Sequence, residues 1–506
     1  MKQLMFHDDP PFWFETLRNL GLAAYGGSDV GEVIATASRV TPGDYDSWHD
    51  AWLSTAERLE AEARGSHPVS ARDGLLRASS YYRAAEFFLH GHPEDPRIDH
   101  AYERGVPCFR DAIAHFPGVT PVEIPYEDIV LHGYFCRAAG EGPRPAVVMH
   151  NGFDGAAEEL HFSGALGGQE RGYHVLTFDG PGQPAAIHRD GAAFRPDWEN
   201  VVGPVLDFLT QDPGVDPART ALLGVSLGGY LAPRAAAYEP RLAAVVSLDG
   251  VFDAVSALTA HLPLPHEEAV RRAAAEHGEE LDRLIADARA RSPILRWAFD
   301  HGRYVTRTSN DREFLAEYAR YSFEDGSAGK ITCPVLVCEA TDDLFCSTAE
   351  ESDPRKLYRH LTAPKTLLSF TEEEGGDAHC HPGALRLAVA RIFDWLDDTI
   401  RPVSRHAERS AAAPVCGRRS RARAAAHANP PHIIPGGRDR PKTKEAPWPS
   451  AQNARTPCAT EKPSWLPPTP FSRPAAAPTA CRWTTSRRPR VWARAPSSAA
   501  SATAPA

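Results

Sequence analysis

Residues 220–240 read TALLGVSLGGYLAPRAAAYEP and join a strand pattern directly to a helix pattern. TALLGV is a continuous apolar run of the kind found in buried strands, and LGGYLAPRAAAYE has the spacing of a helix. Between them, Gly224-Val225-Ser226-Leu227-Gly228 matches G-x-S-x-G, in which the glycines leave room for a tight turn that exposes the serine. An ordinary Gly/Ser turn is the alternative interpretation. The strand–serine–helix order favours a nucleophile elbow, with Ser226 as a candidate catalytic residue.

Short apolar runs alternate with helical patterns on both sides of this elbow. Residues 122–138 predict two adjoining strands. Five further strands are predicted in PAVVMH (145–150), YHVLTFD (173–179), LAAVVSLD (242–249), PVLVCEA (334–340) and TLLSF (366–370). Helical patterns lie between most of these runs, an order typical of parallel strands covered on both faces. The sequence therefore predicts an α/β fold with a mostly parallel, doubly wound sheet.

Three other stretches interrupt or flank this alternation. Residues 1–117 predict an N-terminal helical cap domain, and residues 118–400 the α/β catalytic domain. Within the latter, residues 251–330 are helical in pattern and predict a lid inserted between two strands. Residues 401–506 contain 19 Lys and Arg against 4 Asp and Glu, with 18 prolines and only seven Val, Ile, Leu or Phe. We expect this basic tail to be disordered and without function.

The composition limits the classes of protein that remain. Hydrophobic residues make up 42% of the 506 and charged residues 24%, as in soluble globular proteins. No apolar run is long enough to span a membrane, and the N-terminus lacks the pattern of a signal peptide. Nine scattered cysteines without a CxxC pair predict reduced thiols and no zinc site. We therefore expect a cytoplasmic protein that binds neither membranes nor nucleic acid.

The loop after the strand at 145–150 reads Asn151-Gly152-Phe153-Asp154-Gly155. Its glycines would let the backbone approach a substrate carbonyl closely. We expect the backbone N–H groups of Phe153 and Leu227 to form an oxyanion hole. Asn151, Gly152 and Asp154 are candidate substrate-binding residues, although the same letters also suit a plain turn. Trp297 of the inserted stretch is a further candidate, with burial in the core of the lid as its alternative.

An acid and a histidine should follow the serine along the chain in this fold. The strand at 334–340 ends at Asp342 and Asp343, which compete for the acid position. His379 and His381 lie in the loop between the last strand and the last helix, from which either could reach Ser226. Asp249 ends the strand after the elbow, where it would line the pocket or, more commonly for such a residue, cap the lid.

Taken together, these segments resemble the α/β-hydrolase superfamily. The resemblance is strongest to the branch that contains 2,6-dihydropseudooxynicotine hydrolase and the fungal polyketide-shortening hydrolases of pigment pathways. It rests on RASSYYRAAEFFLHGHPEDPR, HNGFDG, FDGPGQ, GVSLGGYLAPRAAAYEPRLAAVVS, CPVLVCEATDD and DAHCH, and it covers residues 10–400. The resemblance implies that Asp343 is the acid, that His379, which precedes Cys380, is the histidine, and that the helical domain and the core enclose the site. Relatives of this branch are often dimers, so the resemblance also makes a homodimer a possible assembly.

The expected activity is that of a serine hydrolase. Ser226 would attack a carbonyl carbon, His379 would move the proton, and water would cleave the acyl-enzyme. We expect a compact, largely apolar small-molecule substrate, cleaved at an ester or, as the resemblance implies, at a carbon–carbon bond beside a ketone. No metal or organic cofactor is expected. Two alternatives stay open: an acyl-transferring or cyclising enzyme of a polyketide-like pathway, and a non-catalytic receptor with a hydrolase-like fold.

Overall fold

The computed structural model describes residues 2–275, 277–345 and 351–400. The predicted tail at 401–506 lies outside these residues. Five helices come first: α1 (Pro10–Leu22), α2 (Val30–Ala37), α3 (Tyr45–Arg64), α4 (Pro68–Glu86) and α5 (Pro96–Ile113). Four of them begin at an aspartate whose carboxylate accepts a hydrogen bond from the first turn: Asp9, Asp29, Asp44 and Asp95. Buried aromatic rings, including Trp48, Trp52 and Tyr81, form the centre of this helical part.

A single eight-stranded sheet follows. Its strands are β1 (Val119–Tyr126), β2 (Ile129–Cys136), β3 (Arg144–His150), β4 (His174–Phe178), β5 (Val215–Val225), β6 (Ala244–Leu248), β7 (Val335–Ala340) and β8 (Lys365–Phe370). The spatial order is β1-β2-β4-β3-β5-β6-β7-β8. Only the pairings of β1 with β2 and of β2 with β4 are antiparallel. The predicted α/β fold with its mostly parallel sheet is therefore confirmed.

Helices connect the strands as the alternating pattern predicts. They are α6 (Ala157–Leu160), α7 (Leu166–Glu170), α8 (Pro184–Asp190), α9 (Glu199–Leu209), α10 (Gly228–Ala236), α16 (Asp353–His360) and α17 (Leu385–Ile400). A π-helical turn, His161–Ala165, joins α6 to α7, and 3-10 turns occur at Ala23–Tyr25, Ser327–Lys330, Glu372–Glu374 and Pro382–Ala384. None of the helices within the described residues is long and apolar enough to cross a membrane.

Helices are the main regular elements of the described chain between β6 and β7. They are α11 (Ser256–Thr259), α12 (His266–Ala273), α13 (Glu279–Arg291), α14 (Pro293–Thr306) and α15 (Asp311–Tyr318). Because β6 and β7 are adjacent and parallel, this insertion leaves the sheet at the carboxyl end of β6 and returns at the opposite edge, where β7 begins. It thus starts from the edge at which β3, β5, β6 and β7 all end, and where ligands bind in open α/β sheets.

Candidate active site

Ser226 lies on the turn between β5 and α10. Its backbone φ is +62°, in the left-handed region that a non-glycine residue rarely adopts. The turn is tight enough that a Cβ atom on Gly224 would lie 2.0 Å from the carbonyl oxygen of Gly228. Glycine is therefore required there, as the G-x-S-x-G pattern predicts. Strain of this kind is retained where the surrounding structure fixes it, commonly at functional sites.

The loop after β3 lies directly against this turn. A Cβ atom on Gly152 would be 2.4 Å from the backbone nitrogen of Leu227, so only glycine allows the two segments to meet. Among the described residues, neither the Leu227 nor the Phe153 N–H donates a hydrogen bond. The amide of Asn151 donates to the carbonyl of Ala156 at 2.7 Å, so its side chain braces the loop. The loop 151–155, called the oxyanion segment below because it is predicted to supply an oxyanion donor, is thus adjacent to Ser226. The N–H groups of Phe153 and Leu227 are available to bind a substrate oxygen.

His379 reaches Ser226 from the loop between β8 and α17. Its Nε2 is 2.8 Å from Ser226 Oγ, and its Nδ1 is 2.8 Å from Asp343 Oδ2. The other oxygen of Asp343 accepts the backbone N–H of Phe345 at 2.7 Å, which fixes the orientation of the carboxylate. The three predicted residues therefore lie in one hydrogen-bonded series, whereas Asp342 is exposed.

The protonation of His379 is governed by opposing effects. Burial disfavours the imidazolium, yet the nearby carboxylates of Asp343 and Asp249 hold the pKa of His379 well above its ordinary value. Burial raises the pKa of the Cys380 thiol to about 12, so this neighbour is neutral near pH 7. The arrangement favours a histidine that binds a proton readily, as a general base must.

Asp249 lies beside the hydrogen-bonded residues Ser226, His379 and Asp343, so the prediction that it caps the lid is wrong. The residue is fully buried, and its Oδ2 lies 3.2 Å from His379 Nδ1 and accepts the backbone N–H of Cys380. His381, the other histidine candidate, points its Nε2 at Asp249 Oδ1 from 3.4 Å instead of at Ser226. The side-chain ligand atoms of Asp249, His379 and Cys380 lie within 4.8 Å of one another. A metal ion bound there would have to displace His379 from its hydrogen bonds to the carboxylates.

A cavity opens beside Ser226 and His379 between three parts of the chain. Residues of α1, of the β3 loop and of the insertion line it, and most of them are apolar, including Phe14, Leu22, Val251, Leu258, Phe314 and Phe345. The candidate substrate-binding residues Asn151, Gly152, Asp154 and Trp297 all line this cavity. Trp297 stacks on Phe87 with ring centroids 5.2 Å apart, and its buried indole N–H has no hydrogen-bond partner among the described residues.

A buried ionic network ties the N-terminal helices to the oxyanion segment. Arg18 of α1 contacts Glu159 at 2.5 Å, Asp154 at 3.0 Å and Glu15 at 3.1 Å. Arg83 of α4 binds Glu15 at 3.0 Å and the backbone carbonyl of Asp154 at 2.9 Å. Burial disfavours the charge of Asp154, but Arg18 and Arg83 hold its pKa below the ordinary value. Local spacing does not indicate this network, because, apart from the pair Arg18 and Glu15, its contacts join residues 68 to 141 positions apart.

A second contact to the same segment comes from the insertion. His301 of α14 donates from Nε2 to the backbone carbonyl of Phe153 at 2.9 Å, and its Nδ1 is 3.0 Å from Nδ1 of His90. Burial lowers the pKa of His301 to about 4, so this histidine is neutral near pH 7. A neutral ring that donates from Nε2 has only an acceptor at Nδ1, so His90 donates to it. The oxyanion segment is thus held from two sides.

The fold and this site define an α/β hydrolase: a mostly parallel sheet, a serine on the turn after β5, and an acid and a histidine on later loops. The model of the alpha/beta hydrolase family matches residues 129–392. The chain belongs to this family, as the sequence analysis expected.

Two curated relatives match most of the chain. Hydrolase LUC6 of a Fusarium species is 37% identical over 410 residues, which cover 77% of this chain and 96% of the relative. The 20-hydroxy-prefusarin hydrolase FUS2 of Gibberella moniliformis is 36% identical over 407 residues, with the same two shares of coverage. Among solved structures, the 2,6-dihydroxy-pseudo-oxynicotine hydrolase superposes with a TM-score of 0.58 at 24% identity, covering 76% of this chain and 96% of that one. The resemblance to this branch is confirmed.

Proposed function

We propose that this hydrolase works through a Ser226–His379–Asp343 triad and an acyl-enzyme intermediate. His379 accepts the proton of Ser226 as its Oγ attacks a substrate carbonyl carbon, and then gives that proton to the leaving group. The backbone N–H groups of Leu227 and Phe153 bind the oxyanion. The observation that carries the proposal is the pair of 2.8 Å hydrogen bonds that joins Asp343 to His379 and His379 to Ser226.

The substrate we propose is a compact, largely apolar metabolite with a carbonyl group. The cavity beside Ser226 is lined mostly by apolar side chains and is covered by α1 and the insertion, which disfavours peptides and polymers. The unpaired indole N–H of Trp297 would donate to a polar group of such a molecule. The name of the relative FUS2 gives 20-hydroxy-prefusarin as the substrate of that protein. The bond cleaved is an ester or a carbon–carbon bond beside a ketone.

Covalent labelling tests this proposal directly. A fluorophosphonate probe should modify the purified chain at one serine, and mass spectrometry of the digested protein should place the adduct on Ser226. Ser226→Ala should remain unlabelled and folded. Absence of labelling in the wild-type protein would favour a non-catalytic receptor. In a turnover assay, release of the acyl group as an ester or a lactone, and not as the free carboxylic acid, would favour an acyl-transferring or cyclising enzyme over a hydrolase.

Aryl esters and aryl ketones of similar size should then be compared as substrates. Release of a carboxylate from the ketone would identify cleavage of a carbon–carbon bond, and turnover of the ester alone would identify an esterase. Faster cleavage of peptides or of long-chain triglycerides than of these compact substrates would contradict the proposed pocket chemistry, since such molecules need an open cleft.

A further inference from the structure

Two carboxylates, not one, face the same nitrogen of His379. Asp343 Oδ2 accepts its hydrogen bond at 2.8 Å, and Asp249 Oδ2 lies 3.2 Å from the same Nδ1. The two aspartates follow neighbouring strands, β7 and β6, and both are buried. A triad needs only one acid, and a second buried carboxylate is costly unless its charge is balanced. The presence of Asp249 therefore requires an explanation.

His381 lies on the other side of Asp249. Its Nδ1 faces the carbonyl of Gly376 at 2.8 Å, so this nitrogen carries a hydrogen and donates. Its Nε2 lies 3.4 Å from Asp249 Oδ1, and neither atom has a hydrogen-bond partner among the described residues. Burial raises the pKa of Asp249, whereas His381 and His379 lower it. The two histidines thus favour the charged form of this carboxylate.

The backbone holds these groups in place. Asp249, Cys380 and His381 have φ values of +56°, +60° and +54°. The N–H of Cys380 donates to Asp249 Oδ2, which connects the histidine loop to the end of β6. Left-handed backbone at non-glycine residues is unfavourable and is kept where function or packing demands it. Here the strain aims Asp249 at both histidines.

We propose that Asp249 is a positioning residue that acts as a second carboxylate for His379. This inference rests on the proposed triad. When His379 receives the proton of Ser226, two negative groups stabilise the imidazolium instead of one. If the charge of Asp343 is removed, Asp249 can still accept the Nδ1–H and keep the correct tautomer.

The ionisable groups that face Asp249 set the expected pH dependence. They are Asp343, His379, Cys380, His381 and Cys338. Burial raises the pKa values of both thiols, so near pH 7 the charges that act on His379 come from the two aspartates. Removal of the negative charge of Asp249 should therefore lower the pKa of His379.

Asp249→Asn is the decisive variant, because the amide can keep every contact. Its oxygen would accept from Cys380 N–H, and its NH₂ group would donate to His381 Nε2, so the fold should persist. Because His379 must be unprotonated to act, the acidic limb of kcat/KM should move to lower pH by about one unit. Replacement of a triad aspartate by asparagine reduces kcat by ~10⁴ in a serine protease. Because Asp249 remains, Asp343→Asn should reduce kcat by no more than about 10³, at least tenfold less than that value. The double variant should reach about that full loss.

The possible outcomes separate the inference from the proposed triad. An unmoved acidic limb in Asp249→Asn, or an Asp343→Asn variant as inactive as the double variant, would show that Asp249 has only a structural role. Circular dichroism and the thermal midpoint check that each variant is folded. Fluorophosphonate labelling of wild-type Ser226 is measured in parallel. If that labelling is absent, the triad itself is wrong, whereas labelling with an unmoved limb overturns only the role of Asp249.

Discussion

The two halves of the site are built in different ways. The nucleophile side is local: Gly224, Ser226 and Gly228 belong to one turn, and the loop at Gly152 packs against it. The acid side is assembled from the ends of β6 and β7 and from the loop after β8, so that Asp249 and His379 are 130 positions apart. Both sides contain left-handed, non-glycine backbone. A contiguous turn leaves its signature in the sequence, whereas a cluster made by tertiary contacts does not.

The largest loss of activity should come from a substitution on the nucleophile side. Ser226→Ala removes the proposed nucleophile and should reduce kcat by about 10⁴–10⁶. Alanine differs from serine only by the hydroxyl, so the thermal midpoint should change little. Hydrolysis of an activated aryl ester measures the loss. A variant that retained a tenth of the wild-type rate would remove Ser226 from the mechanism, and with it the comparison between the two sides.

Disruption of the contact between the elbow and the oxyanion segment should have a smaller effect than loss of the nucleophile. In Gly152→Ala, the new Cβ would lie 2.4 Å from the Leu227 nitrogen and would push the Phe153 N–H away. Loss of one oxyanion donor costs about 10²–10³ in kcat. Gly203→Ala in α9 is the matched control, since its Cβ would meet no atom closer than 3.9 Å. It should keep full activity, and equal losses in both variants would show that glycine replacement acts through the fold.

The carboxylates of the acid side should shift the pH dependence of kcat/KM in the wild-type enzyme. His379 must be neutral to accept the serine proton, and the neighbouring carboxylates hold its pKa above the ordinary 6.5. The logarithm of kcat/KM should therefore rise with pH and level off only above that value, with a loss of about tenfold per unit below it. The thermal midpoint over the same pH range separates titration from unfolding. A limb centred at or below pH 6.5 would mean that the carboxylates do not act on His379.

Much of the fold follows from residue patterns alone. The strand runs and their order predict the sheet, and the elbow, the oxyanion loop and the pair His379 and His381 come from motifs on single loops, although only the resemblance selects His379. The start of α4 does not follow from its local pattern. Ser70 and Asp73 have the spacing of a capping pair, yet the helix begins at Pro68, because proline is already shaped for the first turn. Local signals compete in such cases, and only the complete backbone decides between them.

The remaining features depend on tertiary contacts. Asp249 has the sequence context of a residue that caps a lid, and nothing near it in the chain indicates His379 or His381. Arg18 of α1 and Arg83 of α4 are both largely buried against Asp154, a contact that neither helix pattern indicates. The hydrogen bond from His301 to Phe153 likewise joins residues 148 positions apart. Pairings over such distances are created by the fold and leave no mark in local spacing.

The smallest expected effect is the sharpest test of the acid side, because it concerns adjacent residues. The side chain of Asp342 is exposed, and its backbone N–H donates to the carbonyl of Asp377 at 2.8 Å, a bond that a side-chain amide leaves intact. Asp342→Asn should therefore alter kcat/KM by no more than about twofold, as for surface substitutions within ±0.5 kcal/mol. Asp343→Asn differs from it by one position, yet it replaces the group that accepts the His379 hydrogen bond. A steady-state assay of the two variants side by side resolves the register. If Asp342→Asn were the more damaging, the strand end would be displaced by one residue, and the acid acting on His379 would not be the one that the resemblance implies.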